Sequence, residues 1–376
     1  MNIRHLSAFL FLLLGATALH AQRMEVVPTG RMLMDAALFS NHEQGLGNGL
    51  ALSDVRAGLE AVWGDYSFCV EAAYGHSKFS MSDVYMERRW GKKHRIRVGN
   101  FRHHYGLHNT VSSADKVTMI PLASHTTFVE SRDLGVMYVY NHGVLSAAGS
   151  LYVEKDAFKR TTDQSGNQAW GMMSRWVYRP LRQPGAIFHI GLSGAYETPR
   201  FHSDPKLNHS SFVFSNRYPT RVAQVTAQSV TVDHARALFK CTPELCMAYG
   251  RWALESQYYY NRVTRTDGHS PVAMHSGYAL LRTVVLGKDY TYSERESRLT
   301  DPAPGSLECV LAYDVTDLSR GELQGGCLRD LSLTLNYYLS KNMVCRLHYS
   351  HTNLKNTDLE TNSRVNALQA RFQVRF

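Results

Sequence analysis

The chain ends on ALQARFQVRF, Ala367–Phe376, in which Leu368, Ala370, Phe372, Val374 and Phe376 alternate with Gln369, Arg371, Gln373 and Arg375. Successive side chains of a strand point to opposite faces, so this stretch is a strand with one apolar and one polar, cationic face. In a soluble sandwich the apolar face would enter a core. In a membrane barrel it would meet lipid while the polar face met water. One strand fits both readings, and its repetition along the chain decides between them.

The same period recurs throughout. Asp330–Tyr338 places Leu331, Leu333, Leu335 and Tyr337 on one face, and Leu52–Trp63 does so with Val55, Ala57, Leu59, Ala61 and Trp63 before a turn at Gly64-Asp65. The segments expected as strands are 30–39, 51–63, 65–76, 79–90, 93–103, 133–141, 143–154, 169–179, 186–197, 227–240, 247–261, 275–287, 305–316, 328–339, 342–353 and 365–376. About sixteen strands, an even number, return both termini to one side, and long connections (104–132, 155–168, 198–226, 262–274) alternate with short ones (64, 91–92, 142, 180–185, 241–246, 340–341), the asymmetry of a bacterial outer-membrane barrel. Residues 288–304 break that asymmetry: either the count slips there or a long excursion leaves the short-turn end. The fold class is therefore all-β, a transmembrane antiparallel β-barrel.

Composition agrees once its averaging is understood. A mean hydropathy of −0.29 and 19% charged residues suit a barrel, whose lipid-facing residues are only every second one. Trp63, Trp90, Trp170, Trp176, Tyr258–Tyr260 and Tyr337-Tyr338 fall near strand ends, where interfacial girdles sit. At the N-terminus, Arg4 and His5 precede the apolar run Ala8–Leu14 and small residues leading to Leu19-His20-Ala21. This is the order of a secretory signal peptide, too short to span a bilayer, with cleavage expected between Ala21 and Gln22. The expected organisation is a signal peptide at 1–21 and a barrel at 22–376, exported to the outer membrane.

Of the six cysteines, only Cys241 and Cys246 lie close together, flanking Thr-Pro-Glu-Leu. A disulfide across a turn and two unpaired thiols are both open in an oxidising compartment. No G-x-S-x-G, H-E-x-x-H, phosphate-loop or C-x-x-C pattern occurs, and nothing singles out a nucleophile or a nucleic-acid motif. His103, His104 and His108 lack the companion ligands of a metal site and are expected at a polar rim. We expect neither an enzyme nor a cofactor or metal.

RIRVGNFRHHYGL (Arg95–Leu107), VSSADKVTMIP (Val111–Pro121) followed by RDLGVMY (Arg132–Tyr138), SGYALLRTVVLGKDYTYSERE (Ser276–Glu296), PGSLECVLAYDVTDLS (Pro304–Ser319), LSLTLNYYLSKNMVCRLHYSH (Leu331–His351) and the terminal NALQARFQVRF together touch nearly the whole mature chain. In these blocks the chain resembles the phosphate-selective porin O and P family, in a form associated with Bacteroidota. The resemblance implies a sixteen-stranded barrel, usually trimeric, whose loops fold into the lumen and line a constriction with arginine and lysine. The chain departs from the family pattern at Ala312, commonly arginine, and at Lys288-Asp289.

An anion pore needs fixed positive charge in a narrow passage, and arginine's planar fork suits oxyanions. Alternation turns Arg56, Arg95, Arg97, Arg175, Arg346, Arg371 and Arg375 inward, and the long connections add Arg102, Lys116, Arg217 and Arg221. The pore-lining candidates are Arg95, Arg97, Arg102, Lys116, Arg217, Arg221, Arg371 and Arg375. Solvation, or pairing with Asp54, Glu60, Glu71, Asp83, Glu87 or Glu255, is the alternative for each. The expected function is passive diffusion of small solutes with a preference for anions. Expected partners are small anionic solutes, outer-membrane lipid and lipopolysaccharide, the barrel-assembly machinery reading Phe376, and two further copies in a homotrimer. A structural or adhesive barrel and a soluble secreted β-rich binding protein are the rival readings.

Overall fold

The structure is a computed structural model that describes residues 24–40, 45–112, 114–130, 132–153, 168–199, 210–355 and 363–376. The expected signal cleavage at Ala21 and Gln22 and the connection 155–167 lie outside the described residues. Backbone donors and acceptors have no water to bond within hydrocarbon, so a sheet can cross a membrane only if it closes on itself. Closure is what the chain achieves.

The wall is built from β1 (Glu25–Phe39), β2 (Gly49–Trp63), β3 (Tyr66–Gly75), β4 (Lys78–Trp90), β5 (His94–Phe101), β6 (Asp133–His142), β7 (Leu145–Val153), β8 (Trp170–Gln183) and β9 (Ala186–Glu197). It continues through β12 (Ala235–Tyr249), β13 (Trp252–Arg265), β14 (Val272–Leu286), β17 (Leu307–Asp317), β18 (Cys327–Tyr338), β19 (Met343–Lys355) and β20 (Ser363–Arg375). Each pairs antiparallel with the next, and β20 returns to β1, giving a closed barrel of 16 strands. The seam runs from Arg31↔Arg375 to Phe39↔Ala367. Reciprocal backbone bonds between Gly30 and Phe376, 2.9 and 3.0 Å, finish it. Along β20 Leu368 is 45% and Phe376 66% exposed, whereas Gln369, Arg371 and Gln373 are buried. The terminal alternation therefore faces as the sequence predicts.

Two of the predicted strands are corrected. The segment 227–240 merges two elements: β11 (Thr226–Val232) pairs with β10 (Phe212–Arg217) as a separate two-stranded hairpin, and the wall resumes only at Ala235. The predicted turn at 241–246 lies inside β12, and the real one is at Gly250-Arg251. Proline lacks an N–H, and the β12–β13 ladder omits Thr242 and Pro243 while pairing resumes in register at Glu244↔Gln257. Cys241 and Cys246 are thus five positions apart on one extended strand, on opposite faces, and both are free thiols. At about 3.3 Å rise per residue their separation is far beyond the ~7 Å that a disulfide spans, so the pairing is ruled out.

The excursion at 288–304 is real. It carries the short pairing β15 (Tyr292–Ser293) with β16 (Arg298–Leu299) and enters the lumen from the short-turn end. From the long-loop end enter the β10–β11 hairpin and the segment joining β5 to β6, with two single helical turns, α1 (Gly106–Asn109) and α2 (Ala123–Phe128). Gly106 has φ +68, and a Cβ there would strike the Gln257 amide, so only glycine turns the chain so close to the wall.

Apolar contact holds these insertions. Val117, Leu122 and Phe128 of the β5–β6 segment and Phe214 of β10 pack with Leu238, Tyr259, Val263, Met274, Leu280, Val310 and Ala312 on the inner wall of β12–β17. Leu299 and Tyr290 pack with Ile187, Cys246, Ala248 and Val284 near the short-turn end. Burying a large apolar side chain is worth roughly 1.5–3 kcal/mol, so each insertion is anchored by several such residues. The lumen on this side is filled.

Candidate functional site: the cationic wall

Opposite the filled side, β1–β4 present charge inward. Arg31 Nη2 donates to Asp54 Oδ2 at 2.6 Å, Arg56 Nε to Asp54 Oδ1 at 2.9 Å, and Arg56 Nη1 to Glu71 Oε1 at 2.7 Å. Arg132, at the foot of β6, holds Asp83 through Nε and Nη2 at 2.8 and 2.9 Å. Arg102 and Arg221 of the insertions lie against this wall, and Lys116 lies beside them, bordering a small pocket with His108, Glu255, Arg282 and Asp301. Arg102 sits beside Arg132, Asp83, Arg56 and Arg31, and Lys116 sits beside Arg102 and Arg221.

These three are under-compensated. Among the described residues Arg102 donates only to the Val111 carbonyl, at 3.1 Å, and no carboxylate among them lies within ion-pair distance of Arg102 or Lys116. Arg221 Nη1 is 3.9 Å from Asp54 Oδ2, and its buried Nε has no hydrogen-bond partner among the described residues. Burial, with Arg102 and Arg221 beside it, pushes the Lys116 ammonium well below its usual value. The cluster Arg31, Arg56, Arg102, Lys116, Arg132 and Arg221 outnumbers Asp54, Glu71 and Asp83. A fixed positive excess in a confined, partly dry space favours an entering anion.

The other candidates are distributed differently. Arg97 is spent on Glu87 (2.9 and 2.6 Å), and Arg371 on Asp35 (2.6 and 2.9 Å) and the Met119 carbonyl (2.6 Å). Arg375 joins Asp115 and Asp301, the latter at 3.0 Å, and so ties the wall to both inserted segments. Arg217 is exposed and bonds Gln224 rather than facing the cluster. Arg95 lies at the short-turn mouth, where with Arg89, Lys92, Lys93 and Arg295 it lines a cavity of about 630 Å³. The histidines do not form a rim: His103 stacks on Phe101 and reaches the Asp133 carbonyl, while His108 packs edge-on against His125 inside the lumen. Arg31 and Arg132 were not singled out from sequence, although the alternation of β1 turns Arg31 inward with Asp35.

Elsewhere several inward charges are ion-paired, although Arg179 and Arg346 donate to backbone carbonyls and uncharged side chains and Asp314 accepts from the Ser124 N–H. Arg282 binds Glu255 and Glu308, and Glu308 also accepts from Tyr290, Tyr338 and Asn336 at 2.8, 2.8 and 3.1 Å. Arg175 and His189 share Glu244. These pairs serve the architecture, because a buried unpaired charge is expensive.

A lipid-facing closed barrel with a charged, loop-constricted lumen defines a porin of the outer membrane. The chain belongs to the phosphate-selective porin O and P family, whose pattern matches residues 30–376. No curated protein matches it by sequence. Among solved structures it is similar to a loop-deleted OmpT of Vibrio cholerae, with 11% identity over 94% of this chain and 99% of that one and a TM-score of 0.60. The in-vitro folded trimer form of the same OmpT gives 10%, 94%, 99% and 0.58. Salmonella typhi OmpF in complex with daunomycin gives 10%, 94%, 98% and 0.53. At such identities these likenesses establish the fold, and the family match carries the function: an outer-membrane solute channel with an anion preference.

Proposed function

We propose that oxyanions of the phosphate class cross this barrel along the β1–β4 wall, with Arg102, Lys116 and Arg221 as the filter. The carrying observation is that none of these three cationic side chains has a carboxylate at hydrogen-bond distance among the described residues, beside a wall whose own arginines are largely committed to Asp54, Glu71 and Asp83. A filter of several weak contacts fits conduction, since an ion held too tightly would not leave. Transit is passive and involves no catalytic step. In this reading residues 1–21 are removed between Ala21 and Gln22, the assembly machinery recognises Phe376, and the mature chain works as a homotrimer in contact with lipopolysaccharide. Single-channel recording across a salt gradient tests the proposal: a reversal potential of the anion-selective sign, and a chloride current reduced by added phosphate, are expected. A cation-selective reversal potential would overturn it.

A further inference from the structure

The outer surface carries a feature that the pore does not use. Across β18, β19 and β20 the register aligns outward rows: Arg329–Asn353–Arg364, then Leu331–His351–Asn366, Leu333–Tyr349–Leu368, Leu335–Leu347–Ala370 and Tyr337–Cys345–Phe372. The lower rows are apolar, with Leu331, Leu333, Leu347 and Leu368 each 43–48% exposed. The second row marks the boundary of that apolar band, because the Tyr349 hydroxyl donates to Asn366 Oδ1 at 3.1 Å and His351 Nδ1 lies 2.8 Å from the same oxygen. Tyrosines of this kind anchor at the edge of the hydrocarbon.

Directly beyond the boundary, toward the long-loop end, stand Arg329, Arg364 and Lys355, all exposed. Lys355 is paired in register with Cys327, beyond Asn353 on the same strand. With strands about 4.8 Å apart, Arg329 and Arg364 flank Asn353 at roughly 10 Å. Among the described residues the acid on this face is Asp317, which Arg320 engages at 3.5 Å and which also lies near Arg329. No ion pair among the described residues involves Arg329, Lys355 or Arg364. Cations one row outside the hydrocarbon edge lie at the depth of lipid phosphates, and an apolar surface below them offers a bed for acyl chains.

We infer that Arg329, Lys355 and Arg364 bind the phosphate groups of an outer-leaflet glycolipid of the lipid A class, whose acyl chains lie along Leu331, Leu333, Leu347 and Leu368. The inference rests on the outer-membrane reading, which places the long-loop end in the outer leaflet. It is tested with full-length mature protein in detergent, using native mass spectrometry with bisphosphorylated lipid A and with its dephosphorylated form. Wild type should hold the phosphorylated lipid at least about tenfold more tightly than the dephosphorylated one. Arg329→Gln/Lys355→Gln/Arg364→Gln should lose that preference, and Lys92→Gln/Lys93→Gln at the opposite end should keep it. Equal binding of both lipids by wild type would overturn the inference without requiring any variant to fold, as would an undiminished preference in the triple variant. Single-channel conductance of the same preparations separates the two readings, since a barrel that conducts but ignores lipid phosphate refutes only this site.

Discussion

Replacing Arg102, Lys116 and Arg221 together by Gln is the sharpest probe of the filter. The three come from the insertions rather than the wall, and none has a carboxylate at hydrogen-bond distance among the described residues, so their removal leaves no acid newly stranded. For an ion passing about 8 Å from a unit charge in water, the interaction is about 0.5 kcal/mol, and a screening length of about 10 Å at 0.1 M salt reduces it to about 0.2 kcal/mol. Three such charges, with Lys116 protonated while an anion is near, sum to about 0.7 kcal/mol. Anion occupancy should therefore fall by about threefold, cation occupancy should rise by the same factor, and the permeability ratio should drop by about tenfold. At 1 M salt, where screening falls to about 3 Å, the change should shrink to under about twofold. Reversal potentials in planar bilayers at both ionic strengths measure this. Arg217→Gln, on the exposed face of β10, serves as the internal control and should move the ratio little. A triple variant with wild-type selectivity in dilute salt would refute the filter, and an effect equally large at 1 M would refute its electrostatic origin.

Arg282→Met should lower stability by about 3–5 kcal/mol, because it leaves Glu255 and Glu308 buried without their cation; urea unfolding of the refolded barrel reads this, and an unchanged midpoint would mean that lumen water solvates both acids. Deleting Phe376, or replacing it by Asp, should block heat-modifiable barrel formation far more than Arg375→Gln, since Phe376 closes the seam on Gly30 and faces lipid. Comparable assembly of all three would dissociate the terminal residue from closure. Non-reducing and reducing gels should show the same migration, with Cys241 and Cys246 both alkylated after unfolding; a cross-linked peptide containing the two would contradict the strand that separates them.

The wall was legible because its rule is simple and local. Alternation in Leu331–Tyr337 or Ala367–Phe376 requires only that one face meet lipid, and the structure returns those faces unchanged. The errors cluster where a segment keeps the period of a strand but leaves the wall. Thr226–Val232 alternates, and it does form a strand, yet it pairs with Phe212–Arg217 inside the lumen. Conversely, Pro243 imitates a turn inside a wall strand, because losing a single donor is tolerable where the β9 side still pairs at Leu192.

The proposed filter was legible only in part, since alternation says which wall residues point inward but not which of them an insertion will meet. Arg97, Arg371 and Arg375 look equivalent to Arg102 in sequence, and they differ only through Glu87, Asp35, Asp115 and Asp301 brought to them by folding. A stronger signal was nevertheless present. The inward face of a water-filled barrel should be polar, whereas β14 reads VAMHSGYALLRTVVL, with Val272, Met274, Tyr278, Leu280 and Val284 on the lumen side, and β17 adds Val310 and Ala312. Apolar residues on both faces of adjacent wall strands mean that something other than water covers the inner one. The same inference explains why alanine at 312 is compatible with a charged pore: it lies under the apolar anchor of the β5–β6 segment, on the side from which the insertions displace solutes. In the proposed filter the selecting charge is thus carried by the insertions and set against the paired arginines of β1 and β2.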